Sequence, residues 1–322
     1  MSYFAPLVSI LVTFLLTNIL LSSRVGNKIQ DIPNERSLHS VPVPRFGGLV
    51  LIIGVLSGWM MLFNSLVWWI VLPLLILLNV SVVDDMRGLS VRYRLLVHIL
   101  AAWLLVYGCG LFAQSMLIGI VVMFITIWSI NLYNFMDGSD GLAGGMTLFG
   151  FSMYGIAAIM GNDMTFAMLN FSISAAAFGF LYFNFYPAKI FMGDAGAIPL
   201  GFLVAAIGVW GWQLNLWPAW FPFLVFSPFV LDASATLFRR GLRREKIWQA
   251  HREHYYQRMV QMGIGHRNTA IIEYILMICA GASALLTLQY PEIATGILLL
   301  WVIIFICAML LIDYFWKVNK SV

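Results

Sequence analysis

Amide and carboxylate side chains recur at intervals of three residues directly after a strongly apolar segment. The segment MLIGIVVMFITIWSI continues into NLYNFMDGSDGLAG at residues 131–144. This spacing places Asn131, Asn134 and Asp137 near one face of a helix end, with Asp140 following them. Mg²⁺ prefers such oxygen ligands, and proteins usually hold it with one or two carboxylates together with substrate phosphates. The alternative is a helix end followed by ordinary Asp-Gly turns.

Further polar clusters stand at the ends of other apolar segments. Asp84 and Asp85 are adjacent. Close like charges raise the pKa of at least one carboxyl group unless a cation compensates, so a neighbouring metal or a role as proton acceptor is one interpretation. The alternative is a pair of solvated acids in a loop. Asp194 lies in FMGDAG, whose glycines let backbone amides approach a phosphate; a tight turn is the alternative. Asn184 and Lys189 precede it.

Histidines and glycines complete the set of candidate side chains. His251 and His254 are three residues apart and share a helix face, but no HExxH pattern accompanies them. The two histidines would bind phosphate or transfer protons in one interpretation, and they belong to an amphipathic interfacial helix in the other. The segment HSVPVPRFGG adds Arg45, Gly47 and Gly48.

The elements that must position these side chains are membrane helices. Hydrophobic residues make up 61% of the 322 residues and charged residues 10%, whereas soluble domains carry about 25% charged residues. The apolar runs last about 17 to 22 residues, enough to cross a hydrocarbon core about 30 Å thick. The sequence has no alternation of polar and apolar residues that would indicate a β-barrel. We therefore predict an all-α polytopic membrane protein, a single domain over residues 1–322. Its eleven predicted helices lie near 4–22, 47–64, 66–83, 95–112, 115–134, 142–160, 164–183, 197–213, 219–237, 270–288 and 292–313.

The basic residues predict the orientation of this bundle. All 18 Lys and Arg residues fall on one side of the predicted topology, while the opposite loops carry only Asp163 and Glu292. The positive-inside rule then places the N-terminus outside and the C-terminus in the cytoplasm. The net charge of +4 follows from this topology and does not imply nucleic-acid binding.

The polar clusters all fall on the predicted cytoplasmic side. A transporter would more often carry its polar groups near the bilayer midplane in broken helices. A site at the aqueous boundary suits an enzyme that joins a soluble substrate to a lipid-embedded one. One more carboxylate, Asp232, falls within a predicted span and needs a shallow position or a partner. Arg239 and Arg240, two turns further on, are candidate partners.

In their order along the chain, these motifs resemble those of the polyprenyl-phosphate N-acetylhexosamine-1-phosphate transferase superfamily. The resemblance covers residues 36 to 260 through RSLHSVPVPRFGG, DD, NxxNxxDGxDGL, NxxPAxxFMGDxG and a loop with histidines. That loop reads HREHYYQRM, with two histidines where many members carry three. In this form it is similar to the branch that starts O-antigen chains, often with UDP-N-acetylfucosamine or UDP-N-acetylquinovosamine. The sugar is left open.

The resemblance implies a multi-pass transferase of the bacterial inner membrane with its active site on the cytoplasmic face. It would move an N-acetylhexosamine-1-phosphate from a UDP-sugar to undecaprenyl phosphate and would require Mg²⁺, with Mn²⁺ as an alternative. The implied metal ligands are Asp194 first and Asn134 second. The implied catalytic residues are Asp84, Asp85, Asp137 and Asp140. The proposed substrate-binding residues are Asn131, Asn184, Lys189, His251, His254, Arg45, Gly47 and Gly48.

Two other classes of function stay open from the residues alone. A secondary transporter of an anionic solute would accumulate its substrate in sealed vesicles without releasing UMP. A purely structural membrane protein would tolerate loss of the Asp194 carboxylate. The lipid bilayer is an expected partner in every case, and a homodimer is left open.

Overall fold

Helices form almost the whole of the computed structural model, which describes residues 2–23, 30–33, 41–246 and 251–320. The first part of the RSLHSVPVPRFGG motif, at 36–40, and residues 247–250 lie outside the described residues. A two-stranded antiparallel sheet precedes the second helix and joins β1 Gln30–Asp31 to β2 Val43–Pro44. The helices are α1 Ala5–Ser22, α2 Gly47–Trp59, α3 Trp68–Arg87, α4 Val91–Gly108, α5 Leu111–Gln114, α6 Met116–Met136, α7 Leu142–Met160, α8 Met164–Asn184, α9 Asp194–Gln213, α10 Phe221–Val225, α11 Ser227–Leu242, α12 Tyr255–Met259, α13 Gly265–Gln289 and α14 Ala294–Lys320.

The helix lengths confirm an all-α polytopic membrane protein. Within the described residues, 10 helical segments are long and apolar enough to cross a membrane. The span predicted at 219–237 is present as two shorter helices, α10 and α11, which meet at Phe226. Each has a proline in its first turn, Pro222 and Pro228, where a missing backbone N–H is tolerated. The orientation of the termini stays a prediction.

Helix α9 lies at the centre of the bundle, and α14 lies at its edge. In the apolar window of α9, 83% of the residues are buried, whereas the corresponding share for segment 291–319 is 11%. Lipid tails are as apolar as leucine, so membrane helices associate largely through close packing of small residues. The many small residues of α9 therefore suit a helix surrounded by other helices.

The contact between α6 and α9 depends on Gly201. A Cβ atom at this position would lie 2.7 Å from the carbonyl oxygen of Ser129 and 2.8 Å from the Cα of Ile130. The Ser129 hydroxyl donates a hydrogen bond of 2.7 Å to the Gly201 carbonyl. This close approach places the start of α9 beside the end of α6. The motifs FMGDAG and NLYNFMDG therefore occupy one end of the bundle, which we call the basic end because most described Lys and Arg residues lie there.

We predict that Gly201→Ala destabilises the protein by about 1–3 kcal/mol, because the added methyl forces α6 and α9 apart. Thermal unfolding of the purified protein in detergent measures this effect. Gly296→Ala is the matched control, since a Cβ on Gly296 of α14 meets nothing within 4 Å. Both changes add the same helix propensity, so equal melting temperatures for the two variants would contradict the close-packing argument.

Candidate active site

The carboxylate of Asp85, in the last turn of α3, binds the N-terminus of α9. Its oxygens accept hydrogen bonds from the backbone N–H groups of Asp194 at 3.1 Å and Ala195 at 2.9 Å. The first N–H groups of a helix have no partners within the helix and carry partial positive charge. Asp85 therefore joins two motifs that are 109 residues apart in the sequence.

Two arginines bridge the carboxylates at this point. The Nη2 atom of Arg45 lies 2.9 Å from Oδ1 of Asp194 and 3.0 Å from Oδ1 of Asp85. The Nη1 atom of Arg94 lies 3.2 Å from Oδ2 of Asp84 and 3.3 Å from Oδ2 of Asp194. Each oxygen of Asp194 thus faces a different guanidinium group. The two arginines hold the ends of α3 and α9 together by charge.

Asp137 caps the end of α6 next to these groups, and Asn134 lies three residues earlier on the same helix. Burial raises the pKa of Asp137 well above its usual value, and the negative charges of Asp194 and Asp85 add to this rise, while Arg45 opposes it. The half-buried side-chain amide of Asn134 has no hydrogen-bond partner among the described residues. We call Asp84, Asp85, Asp137 and Asp194 the carboxylate cluster.

The chemistry of this cluster fits a divalent cation. Four carboxylates face two guanidinium groups, so two negative charges have no countercharge when all are ionised. Among the described residues, no three His, Cys, Asp or Glu side chains already surround one point as metal ligands. Mg²⁺ needs few protein ligands, since it keeps several waters and takes its other ligands from substrate phosphates. Asp194 and Asn134 stay the predicted ligands, and a metal on Asp194 would share its oxygens with Arg45 and Arg94.

Gly47 and Gly48 let the start of α2 approach the segment before α9. The N–H of Gly47 donates to the carbonyl of Phe191 at 3.0 Å, and that of Gly48 donates to Met192 at 2.9 Å. This pairing fixes Arg45, two residues earlier, beside the carboxylate cluster. The two glycines therefore let another backbone segment of the same chain approach closely. A direct contact of either glycine with a phosphate stays a prediction.

Gly193 is required by the geometry of the turn before α9. Its φ of 70° lies in the left-handed region, which side chains rarely adopt. A Cβ atom there would also lie 2.9 Å from Cγ of Arg45 and 3.0 Å from Oδ2 of Asp85. The glycine thus lets the turn pass directly beneath the Arg45–Asp85 ion pair.

Asp140 and Asn184 bind loop backbone. Oδ2 of Asp140 accepts a hydrogen bond of 3.0 Å from the N–H of Ala188. The buried amide of Asn184 accepts from the N–H of Gly141 at 3.1 Å and donates to the carbonyl of Ile190 at 2.8 Å. These bonds tie the turn after α6 to the turn before α9. The structure gives both residues a positioning role, and their predicted contacts with substrate stay predictions.

Two other predicted residues make no contact with the carboxylate cluster among the described residues. The side chain of Asn131 donates a hydrogen bond of 2.7 Å to the Ile127 carbonyl of its own helix, and its nitrogen lies 3.4 Å from Nδ1 of His98. Lys189 is exposed at the basic end and has no side-chain partner among the described residues. Its charge is available to a ligand in solution.

The segment 251–259, which we call the histidine segment, is anchored by Asp232 of α11. Nδ1 of His254 lies 3.2 Å from Oδ1 of Asp232. The same carboxylate accepts hydrogen bonds from the N–H groups of Tyr255 at 2.9 Å and Tyr256 at 3.0 Å. Asp232 therefore caps the short helix α12 and orients the imidazole of His254.

The arginines expected as partners of Asp232 bind elsewhere. Arg239 lies 2.6 Å from Asp313 of α14, and Arg240 lies 2.9 Å from Glu253. The prediction that Arg239 or Arg240 pairs with Asp232 is therefore wrong. The cause is that the histidine segment supplies three donors close to Asp232, and sequence distance gives no sign of this return of the chain.

The histidine segment also reaches the end of α6. The Tyr256 hydroxyl donates a hydrogen bond of 3.1 Å to the carbonyl of Phe135, between Asn134 and the Asp-Gly turn. The ring of His251 lies 4.9 Å from that of His254. Burial lowers the pKa of His251 to about 4, and the nearby His254 and Arg240 lower it too, so its imidazole is neutral at pH 7. A phosphate contact by His251 would therefore be a neutral hydrogen bond.

Sequence reasoning missed Arg94 as a site residue. Its charge enters the sequence analysis only as one of the 18 basic residues that predict the orientation of the bundle. The available signal was the short turn at Gly88, which makes α3 and α4 antiparallel neighbours and brings their ends together. A cation in the first turn of α4 must then lie near Asp84 in the last turn of α3.

Comparison with known proteins places this geometry in a family. The model of glycosyl transferase family 4 matches residues 67–211, which carry all four members of the carboxylate cluster. A phospho-N-acetylmuramoyl-pentapeptide-transferase of Chloroherpeton thalassium is 30% identical over 268 residues, covering 69% of this chain and 71% of the relative. A probable undecaprenyl-phosphate N-acetylglucosaminyl 1-phosphate transferase of Bacillus subtilis is 27% identical over 300 residues, covering 87% of this chain and 83% of the relative. A decaprenyl-phosphate N-acetylglucosaminephosphotransferase of Mycobacterium tuberculosis is 27% identical over 302 residues, covering 80% and 74%.

We predict that Asp232→Asn loosens the histidine segment, because an amide supplies one acceptor oxygen where the carboxylate supplies two. Hydrogen–deuterium exchange should show faster exchange of the Tyr255 and Tyr256 amides by about tenfold or more, since hydrogen bonds to a charged group contribute about 1.5–3 kcal/mol. Asp163→Asn is the control, because Asp163 also caps a helix through its side chain, at the start of α8. Unchanged exchange at residues 255–256 in Asp232→Asn would contradict the anchoring role.

Proposed function

The chain belongs to glycosyl transferase family 4, the polyprenyl-phosphate N-acetylhexosamine-1-phosphate transferase superfamily, and from this membership we propose the reaction that it catalyses. It transfers an N-acetylhexosamine-1-phosphate from a UDP-sugar to undecaprenyl phosphate and releases UMP. The observation that carries the proposal is the carboxylate cluster with Arg45 and Arg94 at the ends of apolar helices. Two of the relatives are named for transfer of an N-acetylglucosamine phosphate to a polyprenyl phosphate.

A lipid acceptor needs a hydrophobic path towards the cluster, and a cavity along α6 leads in that direction. A cavity of about 350 Å³ lies between α6, α9 and the α10–α11 pair, and its lining runs along α6 from Leu117 to Tyr133. Tyr133 is the neighbour of Asn134. Burial contributes about 0.8 kcal/mol per CH₂ group, so a prenyl chain gains substantial affinity from such a cavity. We propose that the acceptor's tail lies here and its phosphate lies near the end of α6.

In the proposed reaction, an oxygen of the lipid phosphate attacks the β-phosphorus of the UDP-sugar. A new phosphoanhydride bond forms as the bond between the β-phosphorus and the bridging oxygen breaks, and UMP leaves with that oxygen. Both reactants are anions, so the site must first reduce their repulsion. Arg45 and Arg94 carry positive charge at the cluster, and Lys189 adds a third charge on the same end of the bundle.

The carboxylates divide these tasks between them. Asp85 holds the start of α9, and Asp84 holds Arg94, so both are proposed to position the site. Asp137 makes no ion pair among the described residues, and we propose that it faces the acceptor phosphate, aligning it or accepting its proton. A covalent aspartyl-phosphate intermediate is the alternative use of this carboxylate. A bound Mg²⁺, held by Asp194 and Asn134, would supply neutralising charge at the pyrophosphate.

The remaining assignments concern the donor and the compartment. We propose that the site faces the cytoplasm, where UDP-sugars are available, and that the chain is a protein of the inner membrane. The HREHYYQRM form of the histidine segment favours the O-antigen branch, with N-acetylfucosamine or N-acetylquinovosamine donors. The relatives' names favour N-acetylglucosamine as the competing donor.

The deciding experiment incubates the purified protein with undecaprenyl phosphate, Mg²⁺ and a panel of UDP-sugars, and measures UMP. We expect UMP from one or a few N-acetylhexosamine donors, and no UMP with EDTA or in Asp194→Ala. Asp163→Ala should retain activity, because Asp163 precedes the first residue of α8 and lies at the end of that helix away from Asn184. UMP release in EDTA would contradict the metal assignment, whereas uptake of UDP-sugar into sealed vesicles without UMP would support a transporter.

We further predict that Arg94→Gln lowers kcat by about 100-fold, since removing one preorganised charge from a phosphoryl-transfer site has effects of that order. The same UMP assay measures the loss. Arg92→Gln is the matched control, because Arg92 is exposed on the same turn of α4. If both variants kept the activity of the unmodified protein, Arg94 would have no part in the reaction.

A further inference from the structure

A second large cavity lies between α11, α13 and α14, on the other side of the histidine segment from the carboxylate cluster. Its volume is about 560 Å³, and its walls are mainly apolar, including Leu276, Phe305 and Met309. On the rim, Leu311 is 58% exposed and Phe315 is 53% exposed, so the cavity borders the lipid-facing surface of α14. A membrane lipid can therefore enter it from the side.

Two buried polar groups in this wall lack partners. Glu273 of α13 is 8% exposed and makes no hydrogen bond or ion pair among the described residues. The hydroxyl of Tyr255, whose residue is 3% exposed, is buried and has no hydrogen-bond partner. A buried polar group without a partner costs about 1–3 kcal/mol, so such groups indicate a ligand that completes them.

The charges around the cavity select the kind of ligand. Its described lining contains the carboxyl groups of Glu273 and Asp232 and no Lys, Arg or His side chain. An anionic headgroup is therefore disfavoured beside Glu273, and a donor of charged N–H groups is favoured. Two cations lie close by, since the guanidinium groups of Arg239 and Arg258 stand 5.4 Å and 5.0 Å from the centre of the Tyr255 ring, and both pair with Asp313. Of the two, Arg239 is the more accessible, because its side chain is 39% exposed and that of Arg258 is 9% exposed.

We propose that this cavity binds one phospholipid of the phosphatidylethanolamine class. Its primary ammonium group donates hydrogen bonds to Glu273 and Tyr255, its phosphate contacts Arg239, and an acyl chain fills the apolar part. A choline headgroup has no N–H donors, and a glycerol headgroup leaves the lipid with a net negative charge. Both fit this wall less well.

The position of the cavity links this lipid to the histidine segment. Asp232 belongs to the wall, and the same carboxylate binds His254 and the amides of Tyr255 and Tyr256. A headgroup held by Tyr255 therefore stabilises the start of α12. The proposal rests on these contacts alone and does not depend on the reaction proposed above.

Native mass spectrometry of the purified full chain, titrated with phosphatidylethanolamine, phosphatidylcholine or phosphatidylglycerol of identical acyl chains, tests the proposal. We expect the first phosphatidylethanolamine to bind most tightly, and Glu273→Gln to raise its Kd about tenfold or more, as for loss of a charge-assisted hydrogen bond. Glu292→Gln, an exposed carboxylate at the opposite end of α13, is the matched control and should leave the Kd unchanged. Equal affinity for the three lipids, or an unchanged Kd in Glu273→Gln, would overturn the proposal.

A second variant and a second measurement keep the test independent of folding defects. Tyr255→Phe removes only a hydroxyl, and we expect it to weaken phosphatidylethanolamine binding about threefold or more, because the ammonium group loses one hydrogen-bond acceptor. Hydrogen–deuterium exchange at residues 251–259 should slow on addition of phosphatidylethanolamine, and should not respond to phosphatidylcholine. If Glu273→Gln is not recovered folded, unchanged binding in Tyr255→Phe would by itself overturn the assignment.

Discussion

Repulsion between carboxylates at one end of the bundle is the constraint on which the rest of the structure depends. Two unit charges 4 Å apart interact by about 4 kcal/mol at an effective dielectric constant of 20, which is a large share of the 5–15 kcal/mol by which a typical domain is stable. The protein offsets this repulsion with Arg45, Arg94 and the amides at the start of α9. The compensation is incomplete when all four carboxylates are ionised, because two negative charges then lack a countercharge. The net negative charge of such a site attracts a cation and repels a phosphate that has no cation bound to it.

Close backbone packing brings Arg45 and Arg94 within reach of several carboxylates of the cluster at once. Gly48 and Gly196 face each other so closely that a Cβ on Gly48 would lie 2.2 Å from the Cα of Gly196. Larger residues at either position would separate α2 from α9 and move Arg45 away from Asp194. The glycines of PRFGG and FMGDAG therefore act on the electrostatics of the site through distance, which explains their place beside charged residues.

The sequence predicts the helices well and the partners of its polar residues poorly. Length and hydropathy are local properties, so the spans and the convergence of polar loops at one end follow from them. The break at Phe226 was also within reach, since Pro222 and Pro228 mark two helix starts. Partners depend on which helices pack together. Asp140 and Asn184 have the residue types of a catalytic site, yet the same types also serve to anchor buried turns, and here they bind loop backbone. Asp232 binds the backbone N–H groups of Tyr255 and Tyr256, which follow it by more than twenty residues in the sequence.

The histidine segment connects the cavity between α11, α13 and α14 to the end of α6. On one side it is bound by Asp232, in the wall of the cavity between α11, α13 and α14. On the other side Tyr256 binds the carbonyl of Phe135, which lies between Asn134 and Asp137. A Cβ on Gly138 would lie 2.2 Å from the Tyr256 hydroxyl, so only a glycine lets the Asp-Gly turn lie directly against this side chain. This close contact and the hydrogen bond to Phe135 attach α12 to the end of α6. The histidines can therefore affect the site through their attachment to α6 as well as through contact with a substrate.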